Sequence, residues 1–497
     1  MTFWVTALGI LTAIGVGITT LQALLTFIFR RRGRFFASPQ AGSFVSILKP
    51  VCGLDDELEE NLESFTRLRG VNYELIVSVA DANDAALAIV ERVRAAHPEV
   101  AWRLVIGGDP RLEDGNRKVA RLIAAARAAR GDILFISDSN VRVEPDDVAN
   151  TVAAFADPKL GCISNLFTGA HAASFGATIE SLHLLSFVAA GNVLAAFGNV
   201  PCVVGKSMAI SRRALEAIGG FEAFASVLAE DQAIGLAVRD AGYRVALSPV
   251  VVRNVVVKRT LRRALDRQIR WNQIRYAFSK AMYGAEFLVN PLPLAIVLAP
   301  FTSLLLPVMV AAARIAQVGL LSRATGAQLR LRDLLLVPLL DILQFGAQFV
   351  PYIDDRVTWR GHNVRLGPNT VLSLHKEFTR PSLARRTPLN SIVAGNVHAG
   401  TRSTASGPGA GRGDRRVGTF DHRGERAAGH SSASALRSRA ELAGVQPPRS
   451  RRSSESRRAA ARAGEVPQHL LEQPRRVPDD PRRRDPRPHR RERGRAR

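Results

Sequence analysis

Residues 2–29 carry no charged side chain, and Arg30-Arg31-Arg32-Gly33-Arg34 follows at once. At about 1.5 Å per residue, a helix of that length exceeds the roughly 30 Å hydrocarbon layer of a bilayer. Four arginines at one flank assign that flank to the cytoplasm. A cleaved leader carries its positive charge before the apolar run, and here the charge comes after it. The expectation is an uncleaved membrane anchor over residues 1–32, with whatever follows starting on the cytoplasmic side.

Two more apolar stretches come late. Residues 287–313 lack charge but contain Pro291, Pro293, Pro300 and Pro307, which kink or break a helix. Residues 334–350 contain one charge, Asp341. A membrane region over 284–352, with about two spans or a re-entrant element, is expected; the competing reading is a pair of buried helices in a soluble domain.

Between these regions the pattern alternates. Short apolar runs at 44–48, 73–79, 102–106 and 133–137 read as strands, and helical spacing occupies 58–68, 84–96 and 116–129. Such recurrence predicts an α/β domain over 42–276 with a mostly parallel sheet. Ligands of such sheets collect beyond the carboxyl ends of the strands. Asp81 and Asp138 each lie just past a predicted strand, and Asp231 opens a helical run after Glu230. Taken singly, each reads equally well as a helix or turn cap. Arg267 and Arg270 share a helix face in Arg267-Gln268-Ile269-Arg270-Trp271. Two guanidiniums so placed suit a diphosphate, and Trp271 suits either ring stacking or the membrane edge. Neither a dinucleotide nor a P-loop glycine motif occurs. Carboxylates and arginines in a crevice beside the bilayer fit chemistry between a soluble phosphorylated donor and a lipid.

The net charge of +24 invites a nucleic-acid reading, but residues 381–497 hold 27 arginines against 11 acidic residues. That tail reads as disordered, with non-specific attraction to phosphate or lipid headgroups and no specific nucleic-acid recognition. Cys52, Cys162 and Cys202 have no metal-ligand spacing and read as reduced, buried small hydrophobes.

The ordered set Lys49-Pro50-Val51-Cys52-Gly53-Leu54-Asp55, Asp81, Asp138-Ser139-Asn140, Val203-Val204-Gly205-Lys206-Ser207-Met208, Ala229-Glu230-Asp231 and Arg267-x-x-Arg270-Trp271 resembles the ceramide glucosyltransferase family of membrane glycosyltransferases. The likeness covers residues 1 to about 365 and includes bacterial relatives that modify hopanoids. It implies a GT-A type nucleotide-sugar domain flanked by transmembrane helices. It also implies a UDP-sugar donor, with Asp81, Lys118, Asp138, Arg267 and Arg270 on the donor side. A Mg²⁺ or Mn²⁺ ion is implied at Asp138, where Asn140 replaces the second aspartate common in related enzymes. Asp231 is implied as the base, with Glu230 its rival, and Arg267, Arg270 and Trp271 complete the catalytic set. The implied product is a β-linked glucosylceramide-type lipid; hopanoid N-acetylglucosaminyl transfer is the alternative. The implied location is the bacterial inner membrane, multi-pass, with the catalytic domain in the cytoplasm and no obligate protein partner.

Overall fold

The computed structural model describes residues 2–32, 43–108, 115–359 and 362–373. The arginine-rich tail at 381–497 and Arg34 of the anchor's basic flank lie outside the described residues. The expected strands form where the apolar runs place them: β1 Phe44–Pro50, β2 Asn72–Val79, β3 Trp102–Ile106 and β4 Ile133–Ser137. β4 is buried along its whole length, and β1 along all but its first residue, as befits central strands covered on both faces. The helices are shorter than their periodic stretches, at Leu58–Glu63, Leu87–Ala96 and Arg117–Ala128.

After β4 come β5 Val141–Arg142, β6 Leu160–Ala170, β7 Ser207–Ser211 and β8 Arg244–Val255. The eight strands run in the order β3-β2-β1-β4-β7-β6-β8-β5. β3, β2, β1 and β4 are mutually parallel, and β6 is parallel to β8. β7 runs antiparallel to both β4 and β6, and β5 antiparallel to β8. One core packs Phe65, Phe135 and Phe167 against one sheet face; a second packs Val119, Ile136, Ile210 and Phe221 against the other.

Among the described residues, three helices are long and apolar enough to cross a membrane: Thr2–Arg31, Phe175–Phe197 and Leu305–Thr325. The second lies within the expected α/β region and was not anticipated as a span. It contains a π-helical turn at Leu184–Ala189, and most of its surface is covered by protein. The late apolar stretch divides at its prolines. Lys280–Val289 and Pro291–Phe301 form a pair bent by 62°, and the next helix runs on to Thr325, past the expected end at 313. The Val337–Ile353 helix has 17 residues. Helix Leu305–Thr325 therefore carries Arg314, fully buried in a two-point pair with Asp341 at 2.9 and 3.2 Å. Each charge satisfies the other, as apolar surroundings require.

A second, three-stranded sheet was not foreseen: β9 Arg356–Trp359, β10 His362–Leu366 and β11 Leu372–Ser373, in the order β11-β10-β9. Its buried Val357, Val364 and Leu372 pack on Leu228, just before Glu230-Asp231. All three cysteines are free, but only Cys162 is buried; Cys52 is exposed, against expectation, because it sits in the loop after β1.

Candidate active site

Three parallel strands deliver the first pieces. β1 lies between β2 and β4, so Asp81 after β2 and Asp138 after β4 stand two strand spacings apart, about 10 Å, on one sheet edge. β7 pairs antiparallel with β4, with Ser207 opposite Ser137. That register lays Lys206 beside Asp138, whose N–H donates to the Lys206 carbonyl at 3.2 Å.

The Asp138 carboxylate is clasped by two ammoniums, Lys118 at 2.9 Å and Lys206 at 3.0 Å. Burial alone would raise this carboxyl, but the two lysines outweigh it and hold it well below the usual aspartate range. Lys118 comes from the first turn of the Arg117–Ala128 helix, which Asn116 caps by accepting from the N–H groups of Lys118 and Val119. Burial works against the Lys118 charge, but Asp138 and Glu230 reverse that and raise its pKa. Glu230 is fully engaged, by Lys118 at 3.0 Å and by the Asn116 amide at 3.0 Å.

Asp231 differs. Its oxygens accept from backbone N–H groups, Gly205 at 2.5 Å and Gln232 at 2.8 Å, and it forms no ion pair among the described residues. Burial, reinforced by the neighbouring Glu230 carboxylate, pushes its carboxyl up to about 6. A carboxylate with such a value is ionised at neutral pH yet accepts a proton readily. Gly205 is required for this fit, because a Cβ there would lie 2.8 Å from Lys118 Nζ and 3.1 Å from Asp231 Cβ. Gly205→Ala is expected to cut turnover at least tenfold while leaving expression intact, since misplacing a reacting group by even about 1 Å is costly; steady-state kinetics on purified protein checks it.

The arginines come from the Leu261–Phe278 helix. Arg267 pairs with Glu180, a fully buried carboxylate that also holds Arg259 at 3.1 Å. Arg267 lies within electrostatic range of Lys206. Arg270 has no hydrogen-bonded or ion-paired partner among the described residues. Burial, with repulsion from Arg267 and Arg259, draws its guanidinium down to about 10. Trp271 faces inward, against Phe167 and His183 at 6.4 and 6.3 Å between centroids, with the Arg267 guanidinium 5.0 Å from its ring. Its partly buried ring packs against protein on that side.

The structure thus gathers Lys118, Asp138 and Asp231 into one cluster with Lys206 and Glu230, and brings Arg267 near it. It leaves Asp81 exposed on its own strand end, where the carboxylate accepts from the Asn83 N–H at 2.7 Å.

Three contributors escaped the sequence reading. Lys206 was visible only as part of a motif. Lys49, fully buried, donates to the carbonyls of Asp138 and Val141 at 2.8 and 3.2 Å and so holds the turn that presents Asp138. Burial pulls its ammonium down to about 7. A lysine ending an apolar strand was the available signal. Thr370 fixes the approach to Asp231 from the C-terminal sheet: its carbonyl accepts from Leu228 N–H and its hydroxyl from Ala229 N–H. It does so with a positive φ of 59°, which costs a β-branched residue about 1–3 kcal/mol and marks a demanded geometry.

Among the described residues no three His, Cys, Asp or Glu side chains converge on a point. Two oxygen donors do share one cation, however. Lys206 Nζ lies 3.0 Å from Asp138 Oδ2 and 2.8 Å from Asn140 Oδ1. The pair is a hard-oxygen donor set of the kind Mg²⁺ or Mn²⁺ takes, provided diphosphate oxygens and water complete the shell.

The model of glycosyl transferase family 21 matches residues 5–372. The chain belongs to that family. Its fold is of the GT-A type, a mostly parallel mixed sheet with helices on both faces. Among the curated proteins that the chain matches, ceramide glucosyltransferase 1 of Caenorhabditis elegans is 29% identical over 49% of this chain and 52% of its own length. An N-acetylglucosaminyltransferase of Bradyrhizobium diazoefficiens is 27% identical over 43% and 45%. The chain spans about half the length of these relatives. A mannosyltransferase of Pyrobaculum calidifontis, solved in complex with GDP-Man and Mn²⁺, is 21% identical at a TM-score of 0.41, covering 68% of this chain and 99% of that one.

Proposed function

We propose that this chain is an inverting glycosyltransferase, moving glucose from UDP-glucose to the primary hydroxyl of ceramide at the cytoplasmic face of a bacterial inner membrane. The observation that carries the reading is the contrast between the paired carboxylates. Glu230 is spent on Lys118 and Asn116, whereas Asp231 keeps a carboxylate held only by backbone N–H groups.

In this reading the diphosphate of the donor lies among Lys118, Lys206, Arg267 and Arg270, and the unpaired Arg270 gains the anion it lacks. Asp81, one strand beyond β1, meets the uridine side of the donor. Asp138 and Asn140 would hold a divalent cation, which supplies positive charge toward the departing nucleoside diphosphate. Asp231 takes the proton from the lipid hydroxyl as that oxygen attacks the anomeric carbon from the face opposite the leaving group. Single displacement turns an α-linked donor into a β-linked product. The apolar helices and the basic flank Arg30–Arg32 support an anchored enzyme whose crevice faces the cytoplasm.

A second reading is N-acetylglucosaminyl transfer to a hopanoid; the name of the Bradyrhizobium relative is compatible with its donor sugar. The test is a matrix of labelled UDP-glucose and UDP-N-acetylglucosamine against ceramide and a hopanoid polyol in nanodiscs, with products identified by mass spectrometry. The proposal expects hexosylceramide as the main product; a hopanoid product from UDP-N-acetylglucosamine alone would replace it with the second reading.

A further inference from the structure

A polar seam runs between the Leu261–Phe278 and Val337–Ile353 helices. Gln268, Asn272 and Gln344 are 1%, 0% and 0% exposed. Gln268 and Asn272, four residues apart, share a helix face, and Gln344 Nε2 donates to Asn272 Oδ1 at 3.2 Å. Yet four amide atoms of this trio have no hydrogen-bond partner among the described residues: Gln268 Nε2 and Oε1, Asn272 Nδ2 and Gln344 Oε1. Buried amides are ordinarily paired, and an unpaired one favours the fold less than an apolar side chain of equal size.

The seam lies on the helix that also carries Arg267 and Arg270, and Ile274 of that helix packs on the cluster containing Leu228, just before Glu230-Asp231. Arg275 Nη2 donates to Asn272 Oδ1 at 2.6 Å. Arg275 is itself neutralised by Glu286 at 2.9 Å. The unpaired set is two donors and two acceptors with no free charge. A phosphate or carboxylate offers only acceptors and would leave the two Oε1 atoms unmatched; a head of hydroxyl and amide groups offers both kinds.

We propose that Gln268, Asn272 and Gln344 bind the polar headgroup of the lipid acceptor and select a neutral head bearing hydroxyl or amide groups. This rests on the lipid-transferase reading above. The seam holds the head through its secondary hydroxyl or amide, leaving the primary hydroxyl to Asp231.

The experiment uses full-length protein in phosphatidylcholine nanodiscs, with a short-chain ceramide as the probe acceptor. Gln268→Met and Gln344→Met, made separately, are each expected to raise the acceptor KM about tenfold, the loss of roughly one well-made hydrogen bond. Donor affinity is expected to stay at the parental value, and a lipid phosphate is expected not to compete with ceramide. If either variant inserts and melts like the parent yet keeps the parental acceptor KM, the seam holds only buried water and the assignment falls. Equal competition by lipid phosphate overturns the neutral-head selection. If the parent itself glycosylates no lipid, the transferase reading falls first, a result distinct from either of these.

Discussion

Asp231→Asn is expected to lower kcat for lipid glycosylation by about 10²- to 10⁴-fold, the usual worth of a positioned general base, while donor affinity stays near parental. The asparagine preserves shape and one of the two backbone contacts, because its amide oxygen accepts from Gly205 or Gln232 while its NH2 group cannot, so the pH dependence identifies the proton acceptor. The pH dependence gives the sign. A base acts only when ionised, and burial with the adjacent Glu230 carboxylate raises Asp231 to about 6. Parental turnover should therefore be flat at neutral pH and fall as the pH drops through about 6; the residual rate of Asp231→Asn should lack that limb. Glu230→Gln should keep a limb, moved to lower pH because the charge that helps raise Asp231 is gone, since Glu230 itself already serves Lys118 and Asn116. Retention of parental turnover by purified Asp231→Asn would transfer the base role elsewhere.

The second large effect concerns Lys118, whose ammonium bridges Asp138 and Glu230. Lys118→Met leaves two largely buried carboxylates without their shared cation. Breaking a buried pair from one side costs about 3 kcal/mol or more, since the remaining charge loses its compensation. A thermal midpoint in detergent measures the loss, and a calorimetric titration with UDP-glucose should show donor binding weakened as well. Adding Glu230→Gln to Lys118→Met should recover part of the stability, because one uncompensated charge is removed. Additive losses would contradict the shared-cation picture. The parental pairing also has a pH window. Asp138 is held below its ordinary value, so its contribution is present above the usual aspartate range near 4 and is lost as the pH falls through the depressed native value.

Much of this site was legible because parallel strands announce themselves. Residues 102–106 and 133–137 read as strands from apolar runs alone and form at those bounds, which puts Asp138 at a sheet edge without further information. Asp81 follows by the same logic. What stayed hidden depends on contacts across long stretches of chain. Nothing local tells that β7 inserts antiparallel beside β4, and that register alone brings Lys206 to Asp138. Glu180 sits in an apolar helix and meets Arg267 only through tertiary packing. The prolines at 291, 293 and 300 correctly signalled a broken element, whereas Arg314 fell just past the charge-free run and its buried partner Asp341 read as an isolated exception. Thr370 lies in the turn between β10 and β11, strands too short to show periodicity, and its grip on Leu228 and Ala229 follows from that strained turn.

The central claim, transfer of a sugar to a lipid hydroxyl by one inverting displacement, is tested most directly by the anomeric configuration of the product. Full-length protein in nanodiscs, given UDP-glucose and ceramide, should yield a glycolipid whose anomeric proton shows the large coupling of a β-linkage. An α-linked glycolipid, or glucose released to water with no lipid product, would contradict the account.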